Sequence, residues 1–143
     1  MTENNLVTAD KPQSSTFWVF IVFVVSLISR LIIILLYQPI AYSDTPSYRR
    51  LAEAILGGFV TYDGTRTPGY PVFLALFGSD QLVWVVQLLL GVATTLLLFY
   101  IGWKLTDKPW FGGLIALSHT LNLSQLFFES NLLTESLTTF LIV

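Results

Sequence analysis

The chain has 143 residues and is 54% hydrophobic and 15% aromatic but only 11% charged, where an ordinary soluble domain carries about 25% charged residues. A net charge of −2 with no basic cluster excludes a nucleic-acid surface of the usual kind. The absence of cysteine excludes disulfides, thiolate metal centres and cysteine nucleophiles. The apolar residues fall in long blocks with few charges, the pattern of a chain solvated by lipid.

Residues 1–16 (MTENNLVTADKPQSST) are polar, without apolar period, and read as a disordered cytoplasmic tail. The first block, residues 17–36 (FWVFIVFVVSLISRLIIILL), has the length of a membrane span, since about 20 residues at 1.5 Å rise cross a hydrocarbon core of roughly 30 Å. It exceeds a signal-peptide core and no A-x-A cleavage site follows, so the reading is a retained helix.

Residues 37–81 are mixed and carry Asp44, Arg49, Arg50, Asp63, Arg66 and Asp80. Within them, SDTPSYRRLAEAILGG has the grammar of a short helix. Asp44 or Thr45 suits the N-cap, Pro46 suits the first turn, and Gly57 and Gly58 suit the stop. Tyr48, Leu51, Ala52, Ile55 and Leu56 share one face and Arg49, Arg50 and Glu53 the other, which predicts a helix lying at the membrane surface. GTRTPGYPVFLALFG, broken at Pro68 and Pro71, predicts a second short interfacial helix.

Residues 82–103 form the second clear span, with Gln87 its one strongly polar residue. A tight turn over 104–109 follows, then a third, more polar span over 110–128 and a fourth apolar segment from 132 that stops at 143 partway through a helix. The expected fold is therefore all-α: a polytopic membrane bundle of about four transmembrane helices, with one or two short juxtamembrane helices in the first outer loop. A helix ending within lipid leaves carbonyls unpaired, so the chain is expected to be part of something longer. Lys104, Lys108 and Lys11 favour a cytoplasmic N-terminus in a multi-pass cell-membrane protein, with the long loop outside.

Several polar residues invite chemistry. Asp44 has a plain reading as an N-cap and a functional one as an ionised carboxylate that orients a hydroxyl or holds a divalent cation. Arg66 is either a headgroup-facing loop residue or a phosphate ligand, since guanidinium matches phosphate oxygens in pairs. Glu135 lies near a helix entry close to the bilayer, where an acid is a functional candidate, whereas Glu129 reads as solvated. Arg30, inside the first span, either snorkels or pairs with an acid on a missing helix. His119 reads as a hydrogen-bonded packing residue.

The order of these features resembles the N-terminal part of GT-C superfamily glycosyltransferases, which include protein mannosyltransferases and lipid A aminoarabinose transferases. The features are one span, Asp44 with Tyr48 and Leu51-Ala52, then Arg66-x-Pro68-Gly69-Tyr70-Pro71 leading into an apolar run. A span, a short basic loop, a polar span and Thr134-Glu135 follow. The resemblance covers residues 17–143 and departs from the family at Gly69, where a bulky residue is common.

The resemblance implies catalytic roles for Asp44, as base or metal ligand, and for Glu135, the acid heading the fourth helix. It implies substrate contacts for Tyr48, Arg66 and Tyr70. The implied reaction moves a sugar from a polyprenyl-phosphate donor to a protein, lipid or glycan acceptor on the outer face, with a divalent metal ion as the one cofactor to consider. The competing reading is a small non-catalytic polytopic protein, an assembly partner or a transporter piece.

Overall fold

A computed structural model describes residues 15–38 and 44–143, so the expected polar tail falls, up to residue 14, outside the described residues. The described residues form seven helices and no strand: α1 (Ser15–Leu36), α2 (Thr45–Leu56), α3 (Gly69–Phe77), α4 (Asp80–Thr106), α5 (Pro109–Thr120), α6 (Leu123–Ser130) and α7 (Thr134–Ile142).

Among the described residues α1 and α4 are long and apolar enough to cross a membrane. Only 17% of the most apolar stretch of α1 is buried inside the protein, against 50% for α4. α4 is the central rod, touched by α1, α3, α5, α6 and α7. Its ends follow helix electrostatics: the Ser79 hydroxyl accepts the Leu82 N–H, Asp80 lies in the first turn and Lys104 in the last.

Small residues bring α5 onto α4. A Cβ on Gly112 would collide with the α4 backbone at Phe99 and Trp103, so only a residue without one permits this approach. Val22, Phe99 and Ala116 fill the seam between α1, α4 and α5, flanked by Trp18, Leu96, Trp103 and Leu117.

A second core holds α2 and α3 against the start of α4. It joins Tyr48 and Ala52 of α2, Tyr70 and Leu74 of α3, Val83 of α4 and Leu132. The Tyr48 and Tyr70 rings meet at the first turns, and Leu56 and Gly78 at the far ends line one cleft, so α2 and α3 run parallel. The loop between them must therefore return along α2. α2 closes in a Schellman motif: Gly58, at φ +81°, donates to the Ile55 carbonyl and Phe59 to the Ala54 carbonyl. The face expected to be buried is buried at Tyr48, Leu51 and Ala52, but Leu56 is exposed because the pair ends there.

The stretch expected as one span over 110–128 is two helices. Asn122 accepts the N–H groups of Ser124 and Gln125 and starts a new helix, while α5 ends at Thr120. Thr120 and Glu129 both bond the Arg30 guanidinium, so α6 does not continue α5 as a straight rod. The α6–α7 link, Asn131 to Leu133, is non-helical yet buried. Its carbonyls are met by Gln87 and Thr45, as buried non-helical backbone requires.

Candidate functional site

Four of the five residues singled out from the sequence meet where α1 stops and α4 begins. Asp44 precedes α2 and Arg66 precedes α3, and the returning loop brings them together: Arg66 Nη2 lies 2.8 Å from Asp44 Oδ1, both side chains about half exposed. Asp44 occupies the N-cap position of α2, but its backbone is already helical and its carboxylate makes no capping bond. The plain N-cap reading therefore gives way to an ion pair. The Arg66 guanidinium also stands 5.4 Å from the Tyr48 ring centroid, a cation–π distance.

Below this pair the contacts run inward. The Tyr48 and Tyr70 rings meet edge to face, centroids 5.1 Å apart. The Tyr70 hydroxyl donates to Gln87 Oε1 at 3.1 Å, and Gln87 Nε2 donates to the Asn131 and Leu133 carbonyls at 2.9 and 3.3 Å. Burial, and then the nearby Glu135 charge, push the Tyr70 phenol well above the ordinary tyrosine range.

Glu135, in the first turn of α7, is exposed and accepts a bond from the Thr134 hydroxyl. It joins the cluster through its field on Tyr70, with no ion pair to Arg66. The first turns of α2, α3 and α7 thus converge around Leu132, whose carbonyl accepts from Thr45.

The return loop is tied down by its own charges. Arg50 pairs with Asp63 at 2.9 Å, and the Tyr62 hydroxyl donates to the Arg66 carbonyl at 2.5 Å. Bonds from the Thr65 hydroxyl and amide hold the Asp63 carboxyl below the usual range. Arg49 reaches Asp80 at the head of α4. An open cleft of about 180 Å³ lies between α2, α3 and α4, lined by Arg49, Glu53, Leu56, Leu74, Asp80 and Val83 among others. It touches none of the five candidate residues.

The Asp44 carboxylate meets a guanidinium and not a set of metal-ligating side chains. Among the described residues no three histidine or acidic side chains converge, and the oxygen a cation would approach faces a guanidinium.

Deeper in the bundle lies a polar cluster that the sequence reading assigned differently. Glu129, expected in solvent, is fully buried. Arg30 grips it with two bonds, Nε to Oε2 at 2.9 Å and Nη2 to Oε1 at 2.7 Å, and Gln125 Nε2 adds a third at 3.2 Å. Arg30 Nη1 turns to Thr120, Ser26 and Ser29. Arg30 pairs, but with an acid inside this chain and not with one on a missing helix. The reason is the break at Asn122, which turns α6 so that Glu129 faces α1. The usable signal was one lone cation and one lone acid in apolar surroundings, since each needs the other.

His119 packs as expected, Nδ1 3.2 Å from the Thr95 hydroxyl oxygen. That hydroxyl gives its only proton to the Gly91 carbonyl at 2.8 Å. It can therefore only accept from His119, which assigns the Nδ1–H tautomer.

Comparison with family models, characterised proteins and solved structures gives no match for the chain.

Proposed function

We propose that the chain is the N-terminal part of a membrane glycosyltransferase that moves a sugar from a polyprenyl-phosphate donor to an acceptor on the extracytoplasmic face. The observation that carries this reading is the Asp44–Arg66 pair, 22 residues apart in sequence, at the end of the bundle where the spans begin and end. The order of motifs that resembles GT-C transferases supports it.

In this reading the two half-exposed charges act in opposite directions on one displacement. The donor phosphate takes the guanidinium from Asp44 and freed Asp44 receives the proton of the acceptor hydroxyl. The acceptor oxygen attacks the anomeric carbon as the bond to phosphate breaks, giving inversion, and Arg66 takes up the charge on the departing lipid phosphate. Tyr48 holds the guanidinium in place from below, Tyr70 holds Tyr48, and Glu135 extends the acidic side toward the acceptor. The bundle has about four crossings with a cytoplasmic N-terminus, α5 and α6 together forming a broken third and α7 the beginning of a fourth.

The test is sugar transfer by membranes carrying the full-length protein. Asp44→Asn abolishes transfer while leaving insertion intact, and Arg66→Lys weakens the donor more than the acceptor. Near-normal transfer by Asp44→Asn overturns the reading. The second reading, a non-catalytic transporter or assembly piece, has its own observation in the buried Arg30–Glu129 pair, because charges inside apolar helices mark transport routes. It requires that neither Asp44 nor Arg66 matter.

A further inference from the structure

Gln87 lies seven residues after Asp80 in α4 and is fully buried. At 1.5 Å per residue it stands about 10 Å along the helix from its start. A buried amide is costly there unless each of its polar atoms is met. They are met in a divided way. Both Nε2 protons go to the α6–α7 link, at the Asn131 and Leu133 carbonyls, 2.9 and 3.3 Å away. Oε1 turns to α3 and accepts the Tyr70 hydroxyl at 3.1 Å. The division is fixed, because a turned amide would set its oxygen against two carbonyl oxygens and leave them without a donor.

Each partner leads to a different half of the proposed site. Tyr70 packs edge to face on Tyr48, and the Arg66 guanidinium stands over the Tyr48 ring. Leu133 directly precedes α7, so holding its carbonyl sets where the first turn of that helix, with Glu135, begins. Ser136 in the same turn adds a bond to the Gln87 backbone carbonyl at 3.5 Å. Among the described residues Glu135 and Arg66 form no ion pair of their own. The Thr45 bond to the Leu132 carbonyl ties α2 to the link, and Gln87 does the same for α3, whose first turn follows Arg66 closely.

We propose that Gln87 is a positioning residue of the sugar-transfer site, holding the phosphate-binding Arg66 in register with the acceptor-side Glu135. It touches no substrate. It sets the separation of two groups that act on one displacement, and a misplacement of about 1 Å can slow such a step about a hundredfold. This role rests on the function proposed above.

Loss of register has a signature that loss of folded protein lacks. With the acceptor hydroxyl out of line, water attacks the anomeric carbon instead and releases free sugar and polyprenyl phosphate. A merely weakened fold lowers hydrolysis and transfer by the same factor. The experiment uses membranes carrying the full-length protein, with the cell's polyprenyl-phosphate sugars labelled by radioactive glucose. Free sugar and acceptor-bound sugar are counted, each above the Asp44→Asn background. Gln87→Leu and Tyr70→Phe cut the same connection at its two ends, and each is expected to raise the hydrolysed share about threefold or more. Asn122→Ala, which loosens a helix start elsewhere, leaves the share unchanged. Where Gln87→Leu fails to insert, Tyr70→Phe alone decides. An unchanged share in either inserted variant, with transfer still dependent on Asp44, overturns the positioning role and leaves the transferase reading standing. Transfer that survives Asp44→Asn overturns both.

Discussion

Arg30 spends its donors entirely inside the fold, on Glu129, Thr120, Ser26 and Ser29, and Glu129 has no solvent exposure at all. A buried pair of this kind adds little net stability when compared with apolar residues of the same volume, but losing one partner strands a charge. Glu129→Leu alone is therefore expected to destabilise the fold by about 3–5 kcal/mol, and Arg30→Met with Glu129→Leu together to recover most of it. Chemical unfolding in detergent micelles reads both. Equal losses in the single and double variants would mean that the pair is not the contact that matters. Arg30 and Glu129 were each visible in the sequence as lone charges, but their pairing was not. It depends on where α6 turns, which follows from a helix break that hydropathy averages away.

Tyr70 offers a second test at this scale. Its folded phenol titrates above the ordinary value, through burial and the Glu135 charge. The sign follows from linkage: stability is unaffected below about pH 10, where both states keep the proton, and falls above it as the unfolded chain releases the proton first. Tyr70→Phe removes that term. The alkaline decline of stability, followed by circular dichroism at stepped pH, is expected to be shallower in the variant. A decline as steep as in the parent chain would place the responsible group elsewhere.

Among the elements, legibility tracks how strongly local chemistry decides the outcome. α1 and α4 were readable because a long apolar block has to be helical in lipid. α2 was readable from Pro46 and the Gly57-Gly58 stop. The break between α5 and α6 was harder, because Asn122 is one polar residue among Ser118, His119, Ser124 and Gln125, and any of these can sit inside a polar span. What singles it out is capping geometry: its side chain takes two amide protons that would otherwise be unpaired. Asn122→Ala is expected to cost about 1 kcal/mol in micelle unfolding, while Ser118→Ala, on an exposed position, leaves stability unchanged. Gly112→Leu acts on the other end of the same segment. It pushes α5 off the α4 backbone, and a crosslink engineered between these helices is expected to form several-fold more slowly in the variant.

The whole molecule brings together residues from widely separated stretches, and this is where sequence reading reached furthest and also stopped. Asp44, Tyr48, Arg66 and Tyr70 could be named because their order was distinctive. Their contact depends on α2 and α3 running parallel, which forces the loop back along α2, and no residue pattern announces a parallel pair. Gln87, the residue that ties Tyr70 to the α6–α7 link, was legible only as a lone polar side chain in an apolar span. The arrangement has one consequence for the molecule as a unit. If α4 crosses the bilayer, the return loop and the α4–α5 turn lie on opposite sides, and the function proposed above puts Lys104 and Lys108 on the cytoplasmic one. Asp63→Cys and Asp107→Cys both place an exposed thiol in an otherwise cysteine-free chain. In intact cells a membrane-impermeant maleimide is expected to label the Asp63 position and spare the Asp107 position until the membrane is opened. Labelling of both from one side would mean that α4 does not cross, and the Asp44–Arg66 pair would lose its place above an outer membrane surface.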